Sequence, residues 1–384
     1  MASLVSLPGE SEEWRSRAHA YARDQLEPLA AEIDRTDRIS ETILKGLASQ
    51  RFTGLGTPSE WGGAGGDARD VAAVLEELAW ASGAVATLLA VHLSVCAAPI
   101  LEWGTTAQKE RFLRPLSEGR IIGAFGLTEP GAGSDAARLQ CRYRRTPDGF
   151  VLDGTKMFIT DAGLAGVTLA FATQDMSLGH RGISAFLVPR DTPGFSVAQR
   201  LDKLGIRGSE TTELVFQSAK LPFDALLGAE GSGFKIALSA LTGGRVGIAA
   251  CALGVARGAF DEMRLSVEQD PTDWKRGILA DSFAQLAAAS ALVANAAARK
   301  AAKLPYIDQA SAAKLFASRT AVTLANRGLE IAGLSATRSG HRAERLFRDA
   351  RVFPIVEGTT EIQELILGRA LLDRSAEAGG HETL

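Results

Sequence analysis

Cysteine is scarce in this 384-residue chain. The three cysteines, Cys96, Cys141 and Cys251, lie far apart, and no two of them form a CxxC pair. The sequence therefore offers neither a disulfide framework nor a cysteine-rich metal site. We expect all three to be buried, reduced side chains in a reducing compartment, and we expect no bound metal.

Strong net charge is also missing. The chain has 42 Lys and Arg against 45 Asp and Glu, a formal charge of −3, so it lacks the basic excess typical of nucleic-acid or anionic-membrane binding. The first residues, "MASLVSLPGESEEWRSRA", have no long apolar core and carry early acidic residues, unlike a secretion signal or transit peptide. We also expect no apolar stretch long enough to span a bilayer. These absences predict a cytoplasmic protein with no membrane or nucleic-acid partner.

The sequence does contain two changes of hydrophobic period. Up to residue 120 apolar residues recur at i, i+3 and i+4, which predicts helices, and the same pattern returns after residue 230. Between them, short β-branched and aromatic segments separated by Gly, Pro and Asp predict strands. Because no helix of useful length separates these strands, we expect an antiparallel sheet.

The predicted fold is therefore α+β and mostly α. We expect an N-terminal helical domain over 1–120 and a β-sheet domain over 121–230. A C-terminal bundle of the four-helix type follows over 231–375, and the tail at 376–384 is expected to be disordered.

One carboxylate follows an apolar run near the end of the chain. In "VFPIVEGTTEIQ", Glu357 comes after residues 352–356 and immediately before Gly358. Burial would raise the pKa of its carboxyl group and make it a candidate proton acceptor near neutral pH. A solvated loop glutamate is the alternative.

The residues after Glu357 predict a helix start. "TEIQ" at 360–363 fits a capping box, so a helix should begin just after Gly358. Free N–H groups there can bind an anion, and Gly358 lets a ligand approach the backbone. The residues expected on the buried face of this helix are Ile362, Leu365, Ile366 and Leu372.

A glycine-rich stretch, "AFGLTEPGAGSDAA", occupies 124–137. Its "GAGSDA" matches the dinucleotide GxGxxA pattern, but Pro130 precedes it and strands follow where that motif requires a helix. We interpret it instead as a loop at a strand end, where Thr128, Ser134 and backbone N–H groups hold a polar ring or a phosphate. An ordinary Pro-Gly turn is the alternative.

A third stretch, "GTKMFITDAG" at 154–163, places Phe158 and Thr160 two residues apart on a predicted strand. Both side chains should then leave the same face, where an aromatic ring beside a hydroxyl suits a flat heterocycle. Half-buried strand packing explains the pattern equally well.

Taken together and in this order, these stretches resemble the acyl-CoA dehydrogenase family. The likeness covers nearly the whole chain and is carried by "LTEPGAGSD", "DGTKMFIT", "KLGIRGSETTELVF" and "RDARVFPIVEGTTEIQ". It implies an FAD enzyme. The positions that match flavin contacts of the family are Phe125, Leu127, Thr128, Gly133, Ser134, Phe158, Thr160, Gly358, Thr359 and Glu361. The positions that match substrate contacts are Ser134, Arg245, Glu357 and Gly358.

By this resemblance Glu357 is the catalytic base that removes the α-proton of an acyl thioester, while the β-hydride goes to flavin N5. The acyl carrier is CoA or a carrier protein, and the electron acceptor is an electron-transferring flavoprotein or oxygen. Some members carry the base at the position of Gly244 instead, so Glu357 has no competitor here. The resemblance also implies a homodimer or homotetramer.

The sequence departs from the family at one cross-subunit flavin site. The family's Arg-x-x-Phe-Gly, which reaches the neighbouring subunit's FAD, is replaced by residues 269–273, "QDPTD", and its Gln-x-x-Gly-Gly by residues 330–334, "EIAGL". Lys275 or Arg276 substitutes for the lost arginine only with a shifted backbone. Three hypotheses stay open: an acyl thioester dehydrogenase, a flavin-dependent oxygenase or oxidase of the same fold, and a flavin-poor subunit of a heteromeric dehydrogenase.

Overall fold

The computed structural model describes residues 12–379. The predicted order of helices, sheet and helices is confirmed. The first change falls between Ser117 and Ile122 and the second between Leu227 and Gly233. The boundaries of the three domains stay a prediction. Part of the predicted tail, 376–379, is helical, and 380–384 lies outside the described residues.

Helices form the first part of the chain. Side-chain caps start several of them: Ser40, Asp67 and Ser82 each accept a hydrogen bond from the first helical turn. Short π-helical segments at Ala22–Leu26, His92–Ala97 and Lys109–Leu113 join some of them end to end. They are α1 (Glu12–Tyr21), α2 (Glu27–Thr36), α3 (Glu41–Ser49), α4 (Ala68–Ala81), α5 (Gly83–Val91), α6 (Ala98–Trp103), α7 (Thr106–Gln108) and α8 (Arg114–Ser117).

Within the part of the chain that the structure describes, eight strands form the central sheet. They are β1 (Ile122–Gly126), β2 (Arg142–Thr146), β3 (Gly149–Thr160), β4 (Ala165–Thr173), β5 (Ile183–Pro189), β6 (Phe195–Arg200), β7 (Thr211–Leu221) and β8 (Leu226–Leu227). Their order is β6-β7-β3-β2-β4-β5-β8, with β1 beside β4. The "TPDGF" segment makes the tight β2–β3 hairpin, with Thr146 opposite Gly149.

The expectation of a purely antiparallel sheet is wrong. β1 runs parallel to β4, and β2 meets β4 in a single parallel pairing of Arg142 with Thr173. A parallel pair needs a long connection, and between β1 and β4 the β2–β3 hairpin provides it without a helix. Counting helices between strands therefore missed the parallel pair.

The C-terminal part is a helical bundle around the longest helix. Its members are α9 (Gly233–Gln269), α10 (Asp273–Ala301), α11 (Ile307–Ala332), α12 (Arg342–Ala350) and α13 (Thr360–Gly379). α9 packs against α4, α10 and α11 through small residues. At Gly254 a Cβ atom would overlap the carbonyl of Glu76 on α4, so glycine is required for this close approach.

Two further expectations about apolar helices are wrong. Within residues 12–379, three helices are long and apolar enough to span a bilayer. The buried share of their most apolar stretch is 89% for Gly83–Trp103, 78% for Gly233–Gln269 and 28% for Asp273–Ala301. On α13, Leu365 and Leu372 are 53% and 72% exposed, whereas Gln363 is buried. The polar side chain faces the bundle because it hydrogen-bonds the turn before α13. The three cysteines are buried and free, as predicted.

Candidate active site

Glu357 lies in the turn between α12 and α13. It adopts a left-handed conformation with φ of +52°, and the next residue, Gly358, has φ of +95°. Both carboxylate oxygens are out of contact with solvent and have no hydrogen-bond partner among the described residues. Burial raises the pKa of Glu357 to about 8. An ionisable group in this state is typical of a functional site.

Gly244 makes the space for this carboxylate. A Cβ atom at position 244 would overlap Glu357 Oε2 and lie 3.0 Å from Val95 Cγ1. The carboxylate therefore lies directly against the backbone of α9, beside the buried cluster of Val91, Val95 and Ala240. Phe125 packs on that same cluster. The base candidate and the first predicted flavin contact thus share one apolar wall.

Three cations, of which Arg245 and Lys314 are buried and Lys300 is half-buried, face Glu357 from three helices. Lys314 on α11, Arg245 on α9 and Lys300 on α10 each lower the pKa of Glu357, in that order of size, against the larger effect of burial. Of the cations that the structure describes, none lies within ion-pair distance of its carboxylate. Arg245 Nε is itself buried without a partner. Among the described residues, the pocket therefore contains a carboxylate and a guanidinium nitrogen, those of Glu357 and Arg245, that have no hydrogen-bond partner.

The helix start after Gly358 differs by one residue from the predicted capping box. The cap is Thr359, whose hydroxyl accepts from the Ile362 N–H at 3.4 Å, while Thr360 binds the Pro354 carbonyl. Gln363 turns back to the Gly358 carbonyl instead of to a cap N–H. The pKa of Glu361, which lies exposed in the first turn, is lowered by hydrogen bonds to backbone N–H and to Thr359.

The predicted flavin-contact segments are adjacent in space. Met157 N–H donates to the Thr128 carbonyl at 2.8 Å, so the chain after β1 lies beside the end of β3. Leu127 is buried, Thr128 and Thr160 are half-buried, and Phe125 packs edge-on against Phe171. The two segments that carry Phe125, Leu127 and Thr128 and, on β3, Phe158 and Thr160 therefore lie side by side.

A bulge interrupts β3 at Phe158, so the expectation of simple alternation between Phe158 and Thr160 is wrong. The pairing with β7 shifts between Lys156 and Ile159, and Phe158 has φ of +59°. The aromatic ring is 63% exposed. A left-handed conformation is costly for a bulky residue and is typical of ligand sites. An exposed aromatic ring held this way fits a flat cofactor ring.

The loop that carries Gly131, Gly133 and Ser134 is exposed and short. A backbone bridge between Glu129 and Ala132 closes it, and a short helical turn at Ala136–Arg138 leads on to β2. No helix follows that connects parallel strands, so the dinucleotide motif is excluded here, as expected. Open space surrounds both glycines.

A buried ion pair supports this loop. Lys156 Nζ donates to Glu129 Oε1 at 2.7 Å and to the Leu127 carbonyl at 3.2 Å. Glu129 also accepts from the backbone N–H groups of Gln140 and Cys141. Sequence reasoning did not identify this pair, although a lysine inside a predicted strand was a visible signal.

A cleft of about 650 Å³ opens along α9. Thr242, one residue before the Gly243-Gly244 pair, lies on its wall, but Glu357 does not line it. A separate cavity of about 150 Å³ lies behind Gly243 and Gly247 and is bounded by Lys300. The residues lining the cleft are His180, Arg181, Gly231, Phe234, Lys235, Leu238, Ser239, Thr242, Tyr306 and Ile307.

The two departures from the family pattern lie on the surface. α9 ends at Gln269, Lys275 pairs with Asp270 at 2.5 Å, and Arg276 pairs with Asp273 at 3.1 Å. Neither cation is therefore a free substitute for the missing arginine. Leu334 is 87% exposed just after the end of α11.

Three residues around Glu357 were missed by sequence reasoning: the buried Lys314 and Gln363 and the half-buried Lys300. For Lys314 there was a signal, because it interrupts a stripe of alanines at 310, 313, 317 and 321 on the buried face of α11. A lone cation in such a stripe indicates a special environment.

Comparisons with known proteins agree with this fold and site. The models of the acyl-CoA dehydrogenase N-terminal, middle and C-terminal domains match residues 8–120, 124–219 and 231–372. The short-chain specific acyl-CoA dehydrogenase of Clostridium acetobutylicum is 39% identical, over 94% of this chain and 98% of that protein. The butyryl-CoA dehydrogenase of Megasphaera elsdenii superposes with a TM-score of 0.92 at 39% identity, over 94% of this chain and 97% of that one.

A chain solved in work on the electron transferring flavoprotein of Acidaminococcus fermentans and flavin-based electron bifurcation has the same TM-score. It is 36% identical, over 94% of this chain and 97% of that one. The chain belongs to the acyl-CoA dehydrogenase family. It is an oxidoreductase of this family, and FAD is the family's cofactor, so both expectations from the resemblance are confirmed.

Proposed function

We propose that this protein dehydrogenates a short acyl-CoA between its α and β carbons, with Glu357 as the base that removes the α-proton. The observation that carries the proposal is the carboxylate of Glu357, buried against Gly244 with both oxygens unpaired. A short acyl group is supported by the short-chain specific and butyryl-CoA dehydrogenases among the relatives.

The pocket has the features that this proton transfer needs. An α-proton of a thioester is a weak acid, and a carboxylate whose pKa is raised to about 8 is a stronger base than a solvated one. The backbone hydrogen bonds of the described residues include none donated by the Glu357 N–H, so this group is available to the thioester oxygen. Such a donor stabilises the developing enolate. Arg245 and Ser134 are assigned to the substrate by the family likeness.

The bound FAD supplies the hydride acceptor. We assign its ring to Phe125, Leu127, Thr128, Phe158 and Thr160, because these residues lie together and Phe158 is held exposed in a left-handed bulge. The assignment of Gly133, Ser134, Gly358, Thr359 and Glu361 to the cofactor rests on the family likeness.

The remaining partners are also proposals. We propose an electron-transferring flavoprotein as acceptor, supported by the similar chain from work on such a flavoprotein. A carrier-protein thioester and oxygen are the alternatives for the substrate and the acceptor. A cytoplasmic homodimer or homotetramer, without membrane partners, agrees with the sequence.

One observation favours a second candidate function, a subunit that retains flavin only beside an unlike partner. Both cations near the lost family arginine are occupied by acids of their own segment. A colourless protein that takes up FAD only when a related chain is co-expressed would support this candidate.

The test of the proposed function is anaerobic reduction of the flavin by butyryl-CoA, followed by its visible absorption. Glu357→Gln should still bind flavin, but butyryl-CoA should reduce that flavin about 10²–10⁴-fold more slowly. Glu364→Gln is the control, because Glu364 is a surface residue of α13, the helix that follows Glu357, and pairs with Arg319. Full activity of Glu357→Gln would reject the proposal.

A further inference from the structure

Lys314 is a fully buried cation without an acid partner. Its side chain has no solvent exposure and lies on the alanine face of α11. Among the described residues no carboxylate lies within ion-pair distance of its ammonium group. A buried ammonium is costly unless other groups compensate for the lost hydration.

The compensating contact is to the turn that carries Glu357. Lys314 Nζ donates to the Gly358 carbonyl at 2.6 Å, and Gln363 Nε2 donates to the same oxygen at 2.9 Å. Both donors are buried. The carbonyl is thus held from α11 and from the first turn of α13 at once. Glu357 and Gly358 are consecutive residues of positive φ, so holding the Gly358–Thr359 peptide restrains the turn on which the Glu357 side chain stands.

Lys314 also has the largest electrostatic effect on Glu357 among the neighbouring cations. The groups that face Glu357 are Lys314, Arg245, Lys300 and the Cys251 thiol. Lys314 in turn faces Glu357, Arg245 and Glu361, and burial lowers its pKa to about 8. Burial thus opposes both charges, while the ammonium and the carboxylate each favour the charged form of the other.

We propose that Lys314 is a positioning residue for Glu357: it holds the Gly358 carbonyl so that the turn aims the carboxylate, and its charge favours the ionised base. This inference rests on the proposed function, in which Glu357 takes the α-proton. It assigns to α11 a role in the reaction, which Lys314 exerts through the turn before α13.

Two variants separate the two parts of this role. Lys314→Met removes both the charge and the hydrogen bond, whereas Lys314→Gln removes the charge and keeps a donor for the Gly358 carbonyl. Lys300→Met is the matched control, because Lys300 is a half-buried cation that also faces Glu357 but donates to the Gly243 carbonyl and not to the turn. Replacement of a buried lysine by methionine is compatible with folding, which thermal unfolding of each variant checks.

The titration of Glu357 is measured without substrate, by infrared spectra of the ¹³C-glutamate-labelled protein minus those of Glu357→Gln. We expect both Lys314 variants to raise the pKa of Glu357 by about one unit or more, and Lys300→Met to raise it less, since Lys300 has the smallest effect of the three cations. At a pH below the titration, butyryl-CoA should bleach the flavin about tenfold more slowly in Lys314→Gln. In Lys314→Met the rate should fall further, because the turn is also released.

A Glu357 titration that is unchanged in both Lys314 variants would overturn the proposal, and so would a larger shift in Lys300→Met. Because the titration needs no turnover, these results differ from a failure of the proposed function, which would appear as full activity in Glu357→Gln.

Discussion

Two buried glutamates of this protein are in opposite states. Glu129 receives hydrogen bonds from Lys156 and from the N–H groups of Gln140 and Cys141. Glu357 has equally buried oxygens and receives none from the described residues. A carboxylate whose hydrogen bonds are all made stabilises one loop geometry, whereas an unpaired one raises the free energy of the folded protein when ionised.

The two glutamates therefore have different roles in one site: one stabilises the structure, and the other is available for the reaction. Glu129 fixes the loop that carries Leu127 and Thr128, and Glu357 keeps its lone pairs for a proton from outside the protein. Unpaired buried groups persist where function requires them, because their cost is offset by the rest of the fold.

We expect the largest effect from removing one member of the buried Lys156–Glu129 ion pair. Lys156→Met should lower the free energy of unfolding by about 3–5 kcal/mol, because it leaves Glu129 as an uncompensated buried charge. Urea unfolding measures the change. Arg120→Met, at the exposed pair with Glu118, is the control and should cost no more than about 1 kcal/mol. Equal costs for the two variants would contradict this account of Glu129.

The next largest effect is expected from a methyl group placed against the Glu357 carboxylate. Gly244→Ala should slow flavin bleaching by butyryl-CoA about 10²-fold, because the Cβ displaces the carboxylate from its place against α9. The control is Gly277→Ala on α10, where open space surrounds the added methyl group. Normal rates in Gly244→Ala would show that the carboxylate acts from another position.

The pH dependence of stability should distinguish the two glutamates further. With the pKa of folded Glu357 raised to about 8, the unfolded chain ionises first, so stability falls as pH rises from about 4.5 to about 8. Glu357→Gln should remove this loss, worth about 1.4 kcal/mol for each unit of pH in that range. Thermal unfolding of both proteins from pH 5 to pH 8 measures it. If the difference in stability between the two proteins stays constant from pH 5 to pH 8, the pKa of Glu357 is not raised in the folded protein.

The smallest expected effect concerns the altered surface segment. Gln269→Arg should increase FAD retention by up to about tenfold, because an arginine there restores the family's cation towards pyrophosphate. The exposed position and the nearby acids keep the gain small. Fluorescence of the FAD released on dilution measures it, with Gln269→Leu as control. Equal retention in both variants would show that this position does not meet the phosphates.

Sequence reasoning succeeded where a pattern is local. The helix–sheet–helix order, the Thr146–Gly149 hairpin and the free buried cysteines follow from periodicity, turn residues and spacing. The apolar run before Glu357 left a buried and a solvated carboxylate both open, and the structure shows that the carboxylate oxygens are buried. The assignment of individual residues to flavin and substrate stays a prediction.

The wrong predictions from sequence share one cause, because each depends on contacts between segments that are distant along the chain. The parallel pairing of β1 with β4, the bulge at Phe158 and the exposed Leu372 all depend on what lies beside each element. Periodicity describes one element and contains no information about its neighbours.

The sequence alone determined the family of this protein and the residue types of its chemistry, because four motifs in order carry that information. Only the tertiary structure decided that Glu357 lies against Gly244, that three cations surround it without pairing, and that Lys314 holds its turn. These groups come from α9, α10, α11 and the turn before α13. Their distances, and with them the pKa of Glu357, exist only once those helices have packed.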